Sequence, residues 1–147
     1  MNIAPSSDEK QGIISFVTRC LKGRGYGMKR FGVVSKTAVD RVDSSAELAE
    51  AVAEGRCNQE VPFCRTGTGS DIAVNKISGI RAALYIVSEK AHEAMGWNNA
   101  NVPVMSTKPT SNRRAKEILD AWFQERVGSG AYDKRNMKKL TDIERGI

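Results

Sequence analysis

The stretch Val61-Pro62-Phe63-Cys64-Arg65-Thr66-Gly67-Thr68-Gly69-Ser70-Asp71-Ile72-Ala73-Val74-Asn75-Lys76 decides how this chain is read. Val61 to Cys64 is a short apolar run of strand length, and Ile72 to Lys76 predicts a short helix. Between them lies a glycine-rich turn, so a thiol stands at a strand end, just before a helix start. Gly67 and Gly69 let backbone N–H groups turn toward a bound anion, and the helix start adds positive potential. The same segment also reads as an ordinary strand-to-helix turn with a small buried cysteine. Asp71 beside the loop is an alternative base, although a carboxylate in a first helical turn more often compensates the helix dipole, and that reading is preferred.

The pattern on both sides extends this unit. Upstream, Met1–Ser6 leads through Asp8 into a helical stretch with Ile13, Ile14, Phe16, Val17, Cys20 and Leu21 on one face, stopped by Gly23 and Gly25. Phe31, Val33 and Val34 mark a second strand. Ser44-Ser45 predicts the cap of a helix carrying Leu48, Ala49, Val52 and Ala53, with Glu47 completing a capping box. Downstream, a strand at Ile80–Ile86, a helix at Ser88–Met95 and a strand at Val102–Met105 follow. The last third is helical, with Ala115, Ile118, Leu119, Trp122 and Phe123 on one face. Strands alternating with helices at these lengths imply an α/β fold, a Rossmann-like three-layer sandwich with a mostly parallel five-stranded sheet. Ligands in such sheets bind at the carboxyl ends of strands. Pro62 runs against a central position for its strand, because it removes a ladder donor.

Composition bounds the function. The 147 residues suit a single domain spanning 1–147. Hydrophobic residues at 40% and charged residues at 27% exclude a disordered tail. No apolar run approaches the roughly 20 residues that span a bilayer, and the first residues lack the layout of a secretory leader, so a cytoplasmic protein is expected. The three cysteines, Cys20, Cys57 and Cys64, form no CxxC pair and are read as free thiols. With a single histidine, His92, no metal site is expected. His92 lies five residues before Trp97 in a helix, on another face, and is read as a surface or capping group. The net charge of +6 is read mainly as solvated helix surface that also favours phosphorylated small molecules. Nucleic acid is a weaker reading, since no zinc-finger or RNP-like motif accompanies the charge.

Cys-x-Thr-Gly-x-Gly followed by Ile-Ala-Val-Asn-Lys, then Gly79-Ile80-Arg81-Ala82-Ala83, Asn98-Asn99-Ala100-Asn101-Val102 and Ala115-Lys116-x-x-x-Asp120-Ala121-Trp122, resembles the type B ribose-5-phosphate isomerase and galactose-6-phosphate isomerase family. The resemblance is strongest from Cys64 to Trp122. It implies interconversion of aldose and ketose phosphates through an enediolate, with no cofactor. By position, Cys64 resembles the general base that shuttles the proton. Backbone groups of Thr66, Gly67, Thr68, Gly69 and Ser70, with Asn98, resemble the hole for the developing oxyanion. Asp8 matches an aspartate that contacts sugar hydroxyls. Arg135 and Lys108 stand where phosphate-binding cations are usual, and those cations reach in from the second subunit of a dimer. The resemblance thus implies a homodimer or tetramer.

The departures from the family pattern cluster at the site. The usual Asp-His is Asp8-Glu9, and the usual Cys-Gly is Cys64-Arg65. A usual tyrosine is Arg41, and an arginine-histidine pair is missing around Gly128 to Tyr132. The histidine before the Asn-rich motif, which is the family's ring-opening group, is Trp97, and indole neither gives nor takes a proton near neutral pH. Trp97 reads as a pocket wall, or as core or interface packing. Three accounts follow: a four-carbon substrate that needs no ring opening, a heteromer in which a related subunit supplies the histidine, or a pocket that binds a sugar phosphate without isomerising it.

Overall fold

The computed structural model describes residues 2–7, 12–28, 40–124 and 126–146. In chain order the elements are β1 (Asn2–Ser7), α1 (Gly12–Gly23), β2 (Gly27–Met28), α2 (Arg41–Ala53), β3 (Gln59–Cys64), α3 (Thr68–Val74), β4 (Ala82–Tyr85), α4 (Ser88–Asn98), β5 (Val102–Ser106), α5 (Asn112–Gln124) and α6 (Ala131–Glu144). The strands form one sheet in the order β2-β1-β3-β5-β4, and every pairing is parallel. The fold is therefore α/β with a parallel sheet. The chain leaves β1 in one direction to make β2 and returns on the other side as β3. The crevice between the carboxyl ends of β1 and β3 is thus the topological switch point.

Strand alternation sends side chains to two separate cores. Val61, Phe63, Tyr85 and Met105 face α1, α4 and α5, where Val17, Leu21, Ala91, Ile118, Leu119 and Trp122 complete a buried cluster. Val102 and Val104 face the other way and meet Ala49 of α2 and Val74 of α3. Each fully buried large side chain contributes roughly 1.5–3 kcal/mol. The apolar face read for α5 is the buried one, with Phe123 half-buried against Tyr26. Trp122 also finds a polar partner, its Nε1 donating to Gln59 Oε1 at 3.1 Å. Asn75 pairs with the start of the edge strand: its side chain accepts from Ala82 N at 2.8 Å and donates to Ala82 O at 3.1 Å.

Several boundaries differ from the sequence expectation, each for a local reason. The helix expected from Ser44 begins at Arg41 with Asp40 as its N-cap, and no side-chain capping bond forms there. Ser44 and Ser45 are instead buried, Ser45 Oγ donating to Ser70 Oγ at 3.2 Å and joining α2 to α3. α3 starts at Thr68 rather than Ile72. The second strand is present at Gly27–Met28, and the stretch from Phe31 to Val34 lies outside the described residues. Pro62 does sit in the central strand. Cys64 O accepts from Thr107 N of the β5 side at 3.0 Å, so alternation turns the Pro62 nitrogen toward β5 as well. It has no proton to give, and β3–β5 pairing begins only at Phe63↔Met105.

Glu60 is the misfit of the core. It is fully buried in β3, and neither carboxylate oxygen has a hydrogen-bond partner among the described residues. Burial pushes its carboxyl well above the usual range.

Candidate active site

Cys64 is the last residue of β3 and is 1% exposed. It shares a sheet face with Pro62 and Glu60, opposite to Val61 and Phe63. The chain then turns through Arg65, Thr66 and Gly67. Gly67 has φ of +83°, in the left-handed region that glycine enters freely, and an added Cβ there lies 2.3 Å from Leu84 Cδ1. The dihedral demands glycine, and a side chain there would also have to displace the tip of Leu84 on β4. Thr66 Oγ1 and Thr68 Oγ1 stand 2.8 Å apart across the turn, while Ser70 is buried under it.

The exit of β5 braces this turn. Thr107 N donates to Cys64 O at 3.0 Å, Lys108 N to Arg65 O at 3.2 Å, and the buried Ser106 Oγ to Arg65 O at 2.8 Å. Lys108 is exposed at the same end of the sheet. The structure thus brings together Cys64, Arg65, Thr66, Gly67, Thr68, Gly69, Ser70 and Lys108. Asp71 follows one turn into α3, and partial burial raises its carboxyl pKa. Asp8 and Glu9 lie outside the described residues; Ser7, just before them, pairs with Phe63.

Trp97, Asn98 and Arg135 lie elsewhere. α4 does not end at Met95 but runs on to Asn98, with Asn99 in the left-handed conformation (φ 49°) as its cap. The helix begins at the carboxyl end of β4 and spans about 15 Å, so its last turn reaches the amino end of the sheet. There Arg81 Nε donates to Asn99 O at 2.8 Å, and Asn101 bonds Arg81 N and Gly79 O. Within one chain Asn98 therefore stands at the opposite end of the sheet from Cys64, a correction to any reading that places both in one pocket of one chain. Trp97 is 56% exposed and is not core. Gly128 N donates to Gly96 O at 2.7 Å, α6 follows, and Arg135 lies over the Tyr132 ring at 5.5 Å. An open groove of about 640 Å³ lies on this side, lined by Asn98, Arg81, Ile80, Leu140 and Ile143 among others. His92 is exposed on α4. Among the described residues no three His, Cys, Asp or Glu side chains are grouped to hold a metal.

A parallel α/β sheet with a thiol and a glycine turn at its switch point has the layout of the doubly wound class, in which ligands bind at that crevice. The sequence profile of the Ribose/Galactose Isomerase family matches residues 6–140, and the chain belongs to that family of sugar-phosphate isomerases. It is 31% identical over 121 residues to ribose-5-phosphate isomerase B of Escherichia coli (strain K12), covering 82% of this chain and 80% of the relative. It is 36% identical over 93 residues to D-erythrulose-4-phosphate isomerase of Pectobacterium atrosepticum, covering 63% and 61%. The solved ribose-5-phosphate isomerase B of Clostridium thermocellum superposes with a TM-score of 0.91 at 31% identity over 99% of each chain.

Sequence reading overlooks Ser106. Nothing in a lone serine after an apolar strand marks it. Its signal is three-dimensional, a buried hydroxyl spent on the carbonyl that follows the thiol residue.

Proposed function

We propose that this chain is an aldose–ketose isomerase acting on a small sugar phosphate, a pentose or tetrose phosphate, by proton transfer through an enediolate. The observation that carries this is the thiol of Cys64 at the end of the central strand, at the switch point, against a turn whose geometry only glycine accepts. Cys64 takes the proton from the carbon next to the carbonyl and returns it to the neighbouring carbon, while backbone N–H groups of the turn hold the oxygen on which charge develops. Lys108, expected from the resemblance to reach in from a second subunit, instead stands beside the turn of its own chain, its N donating to Arg65 O, and offers a cation to the phosphate there.

Asn98 and Arg135 join such a site only from another chain, since in their own chain they lie beyond reach of Cys64. A homodimer or tetramer in which one copy presents the end of α4 and α6 to the turn of another supplies them. The exposed Trp97 then enters the partner's site as a wall. A four-carbon sugar phosphorylated on its last carbon has no free hydroxyl placed to close a five-membered ring, so it needs no ring-opening acid. The likeness to D-erythrulose-4-phosphate isomerase supports a substrate of that size. The exposed indole favours one second reading, a subunit that binds the sugar phosphate and isomerises it only beside a related chain. No helix of the described residues is long and apolar enough to cross a membrane, in keeping with a cytoplasmic role.

The test is solvent deuterium incorporation, followed by NMR, into four-, five- and six-carbon sugar phosphates mixed with the purified chain. Exchange into the four-carbon substrate that Cys64→Ala abolishes, with ligand binding retained, supports the reading. Undiminished exchange in Cys64→Ala moves the base elsewhere, with Asp71 the first suspect. Tight binding with no exchange anywhere supports the partner-dependent subunit.

A further inference from the structure

Within a strand, the carbonyls of successive residues turn to opposite neighbours. At the end of β3 they do not. Cys64 O is bonded by Thr107 N at 3.0 Å, the regular continuation of the ladder, and Arg65 O is bonded on the same β5 side by Lys108 N at 3.2 Å and Ser106 Oγ at 2.8 Å. The Arg65–Thr66 peptide is thus reversed from the orientation a continuing strand would give it. A trans peptide holds its N–H opposite its C=O. With Arg65 O directed to β5, the Thr66 N–H is directed away from β5, toward the crevice between the carboxyl ends of β1 and β3. The Arg65 N–H aims the same way, as ladder alternation already dictates. Two successive donors facing one side form the kind of concavity that binds an anion.

We propose that Ser106 is a positioning residue that holds the Arg65–Thr66 peptide reversed and so aims the Thr66 N–H at the oxyanion of the reacting sugar. The inference rests on the isomerase reading of Cys64. Of the two donors to Arg65 O, the hydroxyl makes the shorter bond, and Ser106 is 2% exposed, so water does not compete for it. Preorganised backbone donors of this kind act where charge develops in the transition state. Removing the hydroxyl leaves Lys108 N as the only described donor to Arg65 O, and the peptide can rotate back toward its strand orientation. Ser106 touches no substrate in this account; it acts through the peptide it holds.

The experiment compares the full-length chain with Ser106→Ala and Ser106→Thr. Its first readout is steady-state isomerisation of whichever sugar phosphate undergoes exchange. Its second is calorimetric binding of a four-carbon aldonohydroxamate phosphorylated on its terminal carbon, an enediolate mimic, against the phosphate of the matching sugar alcohol. Ser106→Ala is expected to lower kcat roughly ten- to a hundredfold with KM within about twofold. It is expected to weaken the hydroxamate at least about tenfold and leave the alcohol phosphate unchanged, while Ser106→Thr, which keeps the hydroxyl, stays near the parent protein in both. Melting temperatures of both variants close to the parent separate this from misfolding. Parental kcat and hydroxamate affinity in Ser106→Ala overturn the proposal, as does an equal loss in Ser106→Thr or a parent chain that does not distinguish the hydroxamate from the alcohol phosphate. A parent chain that binds the hydroxamate selectively but turns nothing over refutes independent catalysis by the chain, and the hydroxamate comparison then decides the role of Ser106.

Discussion

Replacing Glu60 with glutamine should stabilise the protein, and by an amount that grows with pH. Glu60 is fully buried on the central strand, with neither carboxylate oxygen hydrogen-bonded among the described residues, and desolvation holds its carboxyl well above the ordinary range. The unfolded carboxyl titrates near about 4.3. The folded one keeps its proton to higher pH, so between the two values the native state binds more protons than the unfolded chain. Stability therefore falls as pH rises through that interval, with the loss complete above the folded value. Each unit of separation is worth ~1.4 kcal/mol, so the loss by neutral pH grows with the distance burial has pushed the carboxyl upward. Glutamine keeps the shape and abolishes the titration. Urea unfolding followed by circular dichroism at several pH values between 5 and 8 should show the parent declining relative to Glu60→Gln. Glu60→Met should add a pH-independent gain of about 1–3 kcal/mol by removing the orphaned polar atoms. Stability profiles of parent and Glu60→Gln that run parallel, within about 0.5 kcal/mol, would refute the reasoning and mean that the carboxylate is satisfied in solution.

Gly67→Ala should lose most of the isomerisation rate and about 1–2 kcal/mol of stability, because alanine resists φ of +83° and its Cβ lies 2.3 Å from Leu84 Cδ1. Adding Leu84→Ala relieves the contact but not the dihedral, so kinetics should show partial recovery at best; full recovery would assign the whole effect to packing. Gly128→Ala places a Cβ 2.4 Å from Gly96 O, a backbone atom that cannot step aside, and must break the 2.7 Å bond that Gly128 N makes to it. In a Trp122→Phe background Trp97 is the sole tryptophan. Its emission and acrylamide quenching should then change on Gly128→Ala, and unchanged spectra would show that the α5–α6 connection does not position the end of α4.

The order of elements was legible because each carries its own period. The apolar stripe of α5 and the apolar run ending at Cys64 are local patterns, and local patterns survive in a parallel sheet buried on both faces. Boundaries were less legible where tertiary contacts overrule capping chemistry. Ser44 and Ser45 look like caps, yet their small side chains are used at the meeting of α2 and α3, and α2 starts earlier. At the other end of the molecule, the helix expected to end at Met95 runs on to Asn98, because Asn99 supplies the left-handed cap one turn further on. Asparagine at that position is itself a sequence signal, weaker than glycine and easily passed over.

That extra turn of α4 has a consequence for how the site is built. Had the helix ended at Met95, Trp97 and Asn98 would lie in a loop free to fold back over the sheet. Carried on to Asn98, a helix about 15 Å long delivers both side chains to the amino end of β4, the end of the sheet away from the thiol. The thiol, the glycine turn and the serine brace come from one end of the sheet, and the asparagine and arginine from the other. A helix that rigid cannot close the gap by bending, so on the proposed isomerase reading the two halves meet only between chains. That proposal assigns proton transfer to groups of one copy and the shape of the pocket, including the indole of Trp97, to a neighbour. Substitutions at Cys64 or Ser106 should accordingly change the rate, and substitutions at Trp97 should change which sugar is accepted.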